Sequence, residues 1–142
     1  MIGDPSTIRL SSVEFLLFHG RSLDDVISSV PDVMYRNLEE TITTAMKYYL
    51  KIRHLAPIYG SKTPIAPDKQ DLLVINSVPD VFHAGHVHIF GYETYRGTLI
   101  VNSGSWQTQT PFQEKMGLIP TCGLAPILNL KTLKITPMDF SK

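Results

Sequence analysis

From Ser6 to Phe18 apolar and β-branched positions are interrupted by Arg9, Ser11, Ser12 and Glu14, a pattern that predicts two short strands rather than a helix. Ser22, with Asp25 three residues on, reads as a capping-box-like pair opening a short helix that Pro31 closes. Between Tyr35 and Ile52 the apolar residues Tyr35, Leu38, Ile42, Ala45, Tyr49 and Ile52 recur at spacings of three and four, which predicts an amphipathic helix with one core face. Pro57, Gly60, Pro64 and Pro67 then make Arg53 to Pro67 an ordered loop, because they remove backbone donors and favour turns. Leu72-Leu73-Val74-Ile75, within Asp71 to Ser77, and Val81 to Ala84 read as buried strands. His88 to Tyr95 and Thr98 to Val101, joined at Arg96-Gly97, predict a β-hairpin, and Leu124 to Leu130 with Thr132 to Thr136 a second one. Helices in one stretch and hairpins in another predict one unit over residues 1–142, of α/β class, arranged as a layered α+β sandwich.

Composition narrows the setting. At 142 residues and 43% apolar content the chain is long enough for one core and not disordered. Thirteen basic residues balance thirteen acidic ones, so any contact with nucleic acid must be local rather than a bulk polyelectrolyte effect. The single cysteine, Cys122, excludes an internal disulfide and a multi-thiolate metal site. No apolar run approaches the roughly 20 residues that span a bilayer, and the start lacks the features of a secretory signal. A cytoplasmic protein without a membrane segment is expected. No nucleophile-elbow, P-loop or dinucleotide fingerprint is present.

The sharpest chemical signal is His83-Ala84-Gly85-His86-Val87-His88, three of the five histidines within six residues. If the segment after Gly85 is extended, His86 and His88 project to one side with Cα atoms about 6.6 Å apart. Two metals could take one imidazole each, one metal could take both, or the pair could simply decorate a strand edge. His83, in an apolar strand, reads as a core or supporting residue.

The order Leu16-Leu17-Phe18-His19-Gly20, then Gly85-His86-Val87-His88, then a hairpin and Val101-Asn102-Ser103-Gly104-Ser105, resembles the calcineurin-like metallophosphoesterases, with Ser103 where a proline is usual. Phe18-His19-Gly20-Arg21-Ser22-Leu23-Asp24-Asp25, Arg53-His54-Leu55-Ala56-Pro57-Ile58-Tyr59-Gly60, Thr63-Pro64-Ile65-Ala66-Pro67 and Pro79 to His88 sharpen this. Together with Asn102 to Gln107 they resemble the small subunit of archaeal family D DNA polymerase over most of the chain. The resemblance implies a metal-dependent 3′ to 5′ exonuclease that proofreads for a large polymerising subunit and acts on single-stranded or mismatched 3′ ends of DNA. It implies two divalent metals, with Mn the first choice and Zn, Fe, Ni or Mg as alternatives. Position by position, His19 and His86 would share one metal and His88 would serve the other. A hydroxide activated by the metals would attack the phosphodiester.

One departure is large. The family's Asp-x-His, Gly-Asp and Gly-Asn-His ligand motifs precede the lone histidine, and only eighteen residues precede His19 here. Gly3-Asp4 resembles the segment after the last of those motifs rather than the bridging one. The expectation is the C-terminal half of a metallophosphoesterase fold, holding three ligands, inactive alone, and self-associating through an uncovered sheet edge or face.

Lys47 to Lys69 carries five basic residues and one acid, interleaved with Tyr48, Tyr49 and Tyr59, which suggests a single-strand path involving Arg53, His54, Tyr59 and Lys62. The same loop could dock on the large subunit, and His54 could serve only the helix dipole. Trp106 is either a stacking platform near the metals or a packing anchor. Two alternatives to the nuclease are a non-catalytic scaffold, as in eukaryotic replicative polymerases whose related subunits have lost their ligands, and a free-standing phosphoesterase.

Overall fold

A computed structural model describes residues 2–31 and 33–141. Strands β1 (Ser6–Leu10) and β2 (Val13–Leu17) pair antiparallel. Helix α1 (Leu23–Ser29) follows, then a 3₁₀ turn at Tyr35–Asn37 leading into α2 (Leu38–Ile52). Strand β3 (Val81–Ala84) precedes the hairpin of β4 (Phe90–Tyr95) and β5 (Thr98–Ser103). After α3 (Pro111–Lys115) come β6 (Leu124–Asn129) and β7 (Lys134–Asp139). The main sheet runs β1-β2-β3-β5-β4, with β2, β3 and β5 parallel, and β6-β7 forms a separate antiparallel pair.

The two faces of the sheet bury different partners. Leu16, Phe18, Phe82, Ala84 and Ile100 pack under α1 and α2, whose Leu23, Val26, Leu38, Ile42, Ala45, Met46 and Tyr49 complete the larger core. The predicted helix therefore exists, with Met46 added to its buried face. Its last apolar residue, Ile52, is 52% exposed, because Arg53 turns left-handed (φ 62°) and carries the chain away.

On the opposite face Val13, Phe15, Val81, Leu99 and Val101 are buried against Leu128, Leu130, Leu133 and Ile135 of the β6-β7 hairpin. The expected uncovered sheet face is not found, since this hairpin supplies a second apolar layer. β1 remains an outer strand with Arg9 exposed on it, and a charge there discourages pairing with another edge.

Three local expectations fail for identifiable reasons. Leu72 to Ile75 is not a strand. Asp71 Oδ1 accepts the Leu73 amide and bends the chain, and only a single antiparallel bridge, His54 with Val74, joins it to the residues after α2. Ser22 does not cap α1 through its side chain. Its hydroxyl turns inward to the Leu55 carbonyl and the Tyr49 hydroxyl. Asp25, its supposed partner, instead accepts the backbone amides of Lys62 and Thr63 at 2.9 and 3.1 Å.

Gly91 lets α2 lie close to β4. A Cβ there would come within 2.6 Å of Ile42 Cγ2, well inside contact distance.

Candidate metal centre

Parallel strands end together, and their carboxyl ends are where α/β sheets gather ligands. Here β2 runs out into Phe18-His19-Gly20 and β3 into Gly85-His86. The two are tied by Phe18 N–H to the His83 carbonyl at 3.0 Å and by Gly85 N–H to the His19 carbonyl at 3.2 Å. Gly20 makes this approach feasible. It sits at φ 97°, and a Cβ would lie 3.1 Å from the Gly85 carbonyl oxygen and 3.4 Å from His86 Cβ. From β5, Asn102 reaches under the same turn, fully buried, donating through Nδ2 to the Gly85 carbonyl at 3.1 Å.

The result is an imidazole pair. His86 Nδ1 lies 3.2 Å from His19 Nε2, with the rings inclined at 74°. Two nitrogens bound to one Zn²⁺ at about 2.0–2.1 Å in tetrahedral array lie about 3.3–3.4 Å apart, so the pair has the spacing of two ligands of one ion. Among the described residues no group of three or more His, Cys, Asp or Glu side chains is placed to hold a metal ion.

His88 stands apart from this pair. The segment is not extended: His86 and His88 both have positive φ, 70° and 60°, an uncommon conformation for residues with a side chain. Regular strand resumes only at Phe90. His88 Nδ1 lies 3.0 Å from Gln113 Nε2. Gln113 Oε1 is already occupied by the Thr110 amide in the capping box that starts α3, so the amide nitrogen faces the ring and donates. Burial, followed by the repulsion that His86 and His19 exert whenever they are protonated, lowers the pKa of His88 from the ordinary imidazole value.

Two side chains here were missed by sequence reasoning. Asp24 Oδ2 lies 3.1 Å from His86 Nε2, and its Oδ1 accepts the Tyr35 hydroxyl at 2.5 Å. Burial acts to raise the Asp24 carboxyl, but the hydrogen bonds from His86 and Tyr35 outweigh it and leave it below the ordinary value of 3.8. The capping-box pattern points to Asp25 and so hides its neighbour. Gln113 was legible in Thr110-Pro111-Phe112-Gln113, a capping-box sequence with proline at the first helical position. His83 is half-buried on β3, and burial lowers its pKa.

The geometry meets the wider family at this point. A profile of the DNA polymerase alpha/epsilon B-subunit family matches residues 1–91. The chain belongs to that family. It is 44% identical over 142 residues to the DNA polymerase II small subunit of Pyrococcus furiosus, covering 99% of this chain and 22% of that protein. It is 46% identical over 122 residues to its counterpart in Archaeoglobus fulgidus, covering 86% and 24%, and 47% identical over 140 residues to that of Halobacterium salinarum, covering 97% and 27%. The chain thus spans about a quarter of the length of these small-subunit relatives. Solved structures similar to it include an archaeal phosphodiesterase (TM-score 0.43, 15% identity, 95% of this chain and 50% of that one). Another is Entamoeba histolytica Vps29 complexed with Zn²⁺ (TM-score 0.45, 15% identity, 99% and 63%).

Of the side chains expected to meet DNA, three share a groove on this member of the polymerase B-subunit family. Arg53, His54 and Tyr59 line one groove with Asp68, Asp71 and Leu72. Arg53 is spent on the Ile75 and Asn76 carbonyls, both at 2.8 Å. His54 joins Asp71 Oδ2 at 2.9 Å and accepts the Ala56 amide, a loop-organising role rather than a helix-dipole one. Lys62 donates to the Ser28 hydroxyl, and Lys47 pairs with Glu93 at 2.6 Å. Tyr59 is 89% exposed, and Trp106, 71% exposed, lies against Phe140 with ring centres 5.8 Å apart. Among the described residues no helix is long and apolar enough to cross a membrane.

Proposed function

We propose that this chain is the C-terminal portion of a polymerase small subunit that works as a metal-dependent 3′ to 5′ exonuclease, hydrolysing phosphodiesters at single-stranded or mismatched 3′ ends of DNA. One observation carries the reading: His19 Nε2 and His86 Nδ1 stand 3.2 Å apart at the carboxyl ends of adjacent parallel strands in a chain of the polymerase B-subunit family. His19 and His86 would hold one cation, and His88 would serve a second. The remaining donors that the resemblance implies, from Asp-x-His, Gly-Asp and Gly-Asn-His motifs, would be supplied from outside this chain. When bound, a pair of divalent cations supplies Lewis acidity and a hydroxide nucleophile at neutral pH.

The chain's own residues hold and aim. Asn102 and Gly20 fix the turn that presents His86, and the β2-β3 register sets its distance from His19. Exposed Tyr59 and, beside Phe140, exposed Trp106 offer rings for stacking on bases, and the large polymerising subunit is the partner.

The test uses a polypeptide of the relatives' full length that contains this chain, purified with its large subunit. With Mn²⁺ it is expected to shorten single-stranded and mismatched 3′ ends, and His19→Ala, His86→Ala and His88→Ala each to remove that activity while subunit assembly persists. Full digestion by a histidine variant would sink the ligand assignment. Normal assembly with no digestion by the unmodified protein would instead establish the scaffold role.

A further inference from the structure

We propose that Asp24 is a positioning residue which, steadied by Tyr35, commits His86 to offer Nδ1 rather than Nε2 to a metal ion. The inference rests on the reading of His86 as a ligand given above and adds the group that sets its tautomer.

A neutral imidazole carries one N–H, and the partner of one nitrogen decides which nitrogen keeps a lone pair. An ionised carboxylate only accepts. With Asp24 Oδ2 3.1 Å from His86 Nε2, the proton belongs on Nε2, and the lone pair of Nδ1 is directed at His19 Nε2, 3.2 Å away. Metal-bound histidines commonly give their second ring N–H to a carboxylate in this way, which fixes ring orientation and raises ligand basicity.

The carboxylate is itself held. The Tyr35 hydroxyl donates to its other oxygen, and the two residues come from α1 and from the turn before α2. The ring of a residue at a strand end is thereby set by the helical layer, independently of the sheet. The arrangement also answers a local oddity: His86 keeps φ at 70°, a conformation that persists only where surroundings over-determine it. Asp24 at the ring and Asn102 beneath the Gly85 carbonyl supply that constraint.

The contrast with His88 sharpens the point. Its Nδ1 faces a donor, the Gln113 amide, so its neutral form carries the proton on Nε2 with both nitrogens engaged or protonated. Of the two motif histidines, only His86 is turned by its neighbour into a ready ligand.

The experiment reads ring nitrogens directly, by long-range ¹H–¹⁵N NMR on the metal-free chain about two pH units above the ordinary histidine value of ~6.5. Wild type is expected to show His86 protonated on Nε2. Asp24→Ala is expected to lose that preference, and Asp24→Asn, whose amide oxygen still accepts, to keep it. Tyr35→Phe leaves the carboxylate in place and is expected to weaken the preference partly, which keeps the test alive if Asp24→Ala does not fold. Calorimetry with Zn²⁺ alone, which imidazoles bind more tightly than Mn²⁺, is expected to show binding to wild type weakened about 10- to 100-fold by Asp24→Ala and restored in large part by Asp24→Asn.

A wild-type His86 protonated on Nδ1, or an unchanged tautomer and unchanged Zn²⁺ affinity in folded Asp24→Ala, overturns the positioning role alone. Zn²⁺ binding that is indifferent to His86→Ala overturns the ligand reading and the positioning role with it.

Discussion

The Tyr49 hydroxyl lies 2.8 Å from the Ser22 hydroxyl in a wholly buried contact that ties the middle of the helical layer to the turn before α1. The single Ser22 hydrogen goes to the Leu55 carbonyl, so Tyr49 is the donor of the pair. Burial keeps its phenol protonated, well above the ordinary tyrosine value. Tyr49→Phe should cost about 0.5–1.5 kcal/mol, the net worth of one such bond, whereas Ser22→Ala strands two buried groups and should cost about 2–4 kcal/mol. Urea unfolding of the two variants checks the order; equal losses would contradict the assigned direction of donation.

Close packing of α2 on β4 gives a second expectation. Gly91→Ala places a methyl 2.6 Å from Ile42 Cγ2 and should destabilise by about 1–3 kcal/mol through overpacking. Adding Ile42→Ala removes the obstructing carbon, so the double variant should lose less than the sum of the singles. Strict additivity in the cycle would show that the helix shifts rather than clashes.

Acid should act through Asp25. Burial acts to raise its carboxyl, but bonds from the Thr63 and Ser61 side chains and from the Lys62 and Thr63 amides prevail and hold it below 3.8. A depressed folded value means the stabilisation is in full force above the unfolded value and is lost as pH falls through the folded one. Asp25→Asn turns an NH2 donor toward one of those two amides and should cost about 1–3 kcal/mol at pH 7. The gap between variant and wild type should close as pH drops below about 4. A gap that stays constant from neutral pH to pH 3 would rule out the charge as its source.

Arg53 holds the loop between α2 and β3. Its guanidinium meets the Ile75 and Asn76 carbonyls together, a two-point contact that a lysine ammonium does not reproduce. Arg53→Ala and Arg53→Lys should both raise the rate of limited proteolysis between Pro57 and Leu72 by about 5- to 10-fold, as the open population grows. Unaltered cutting in both would free Arg53 to act as a DNA contact again.

Much of this architecture is written in apolar spacing. The paired strands at Ser6–Leu10 and Val13–Leu17, the helix at Leu38–Ile52 and both late hairpins follow from alternation, three-four periodicity and turn residues. What escaped was decided by contacts across the chain. Leu72 to Ile75 has the residues of a strand but lacks a ladder to join, and Ser22 gave up its cap for a buried bond from Tyr49. At the site, the pairing of His19 with His86 was legible only through the resemblance to polymerase small subunits, since nothing in the spacing joins two histidines 67 positions apart. The twist at His86 and His88 was not, since periodicity says nothing about residues held at positive φ by Asp24, Asn102 and Gln113.

The parallel neighbours β2 and β3 bring His19 and His86 together although 67 positions separate them in the chain. Their meeting is governed by strand order and by the helical layer packed over it, and only the exposed loop around Gly60 within the connecting stretch is indifferent to length. A chain cut near Gly60 would leave both imidazoles where the sheet puts them. So would a small domain spliced in at that point. Evolution has the same latitude there: the loop around Gly60 can be lengthened or reshaped to suit a partner surface while the two nitrogens stay in reach of one another.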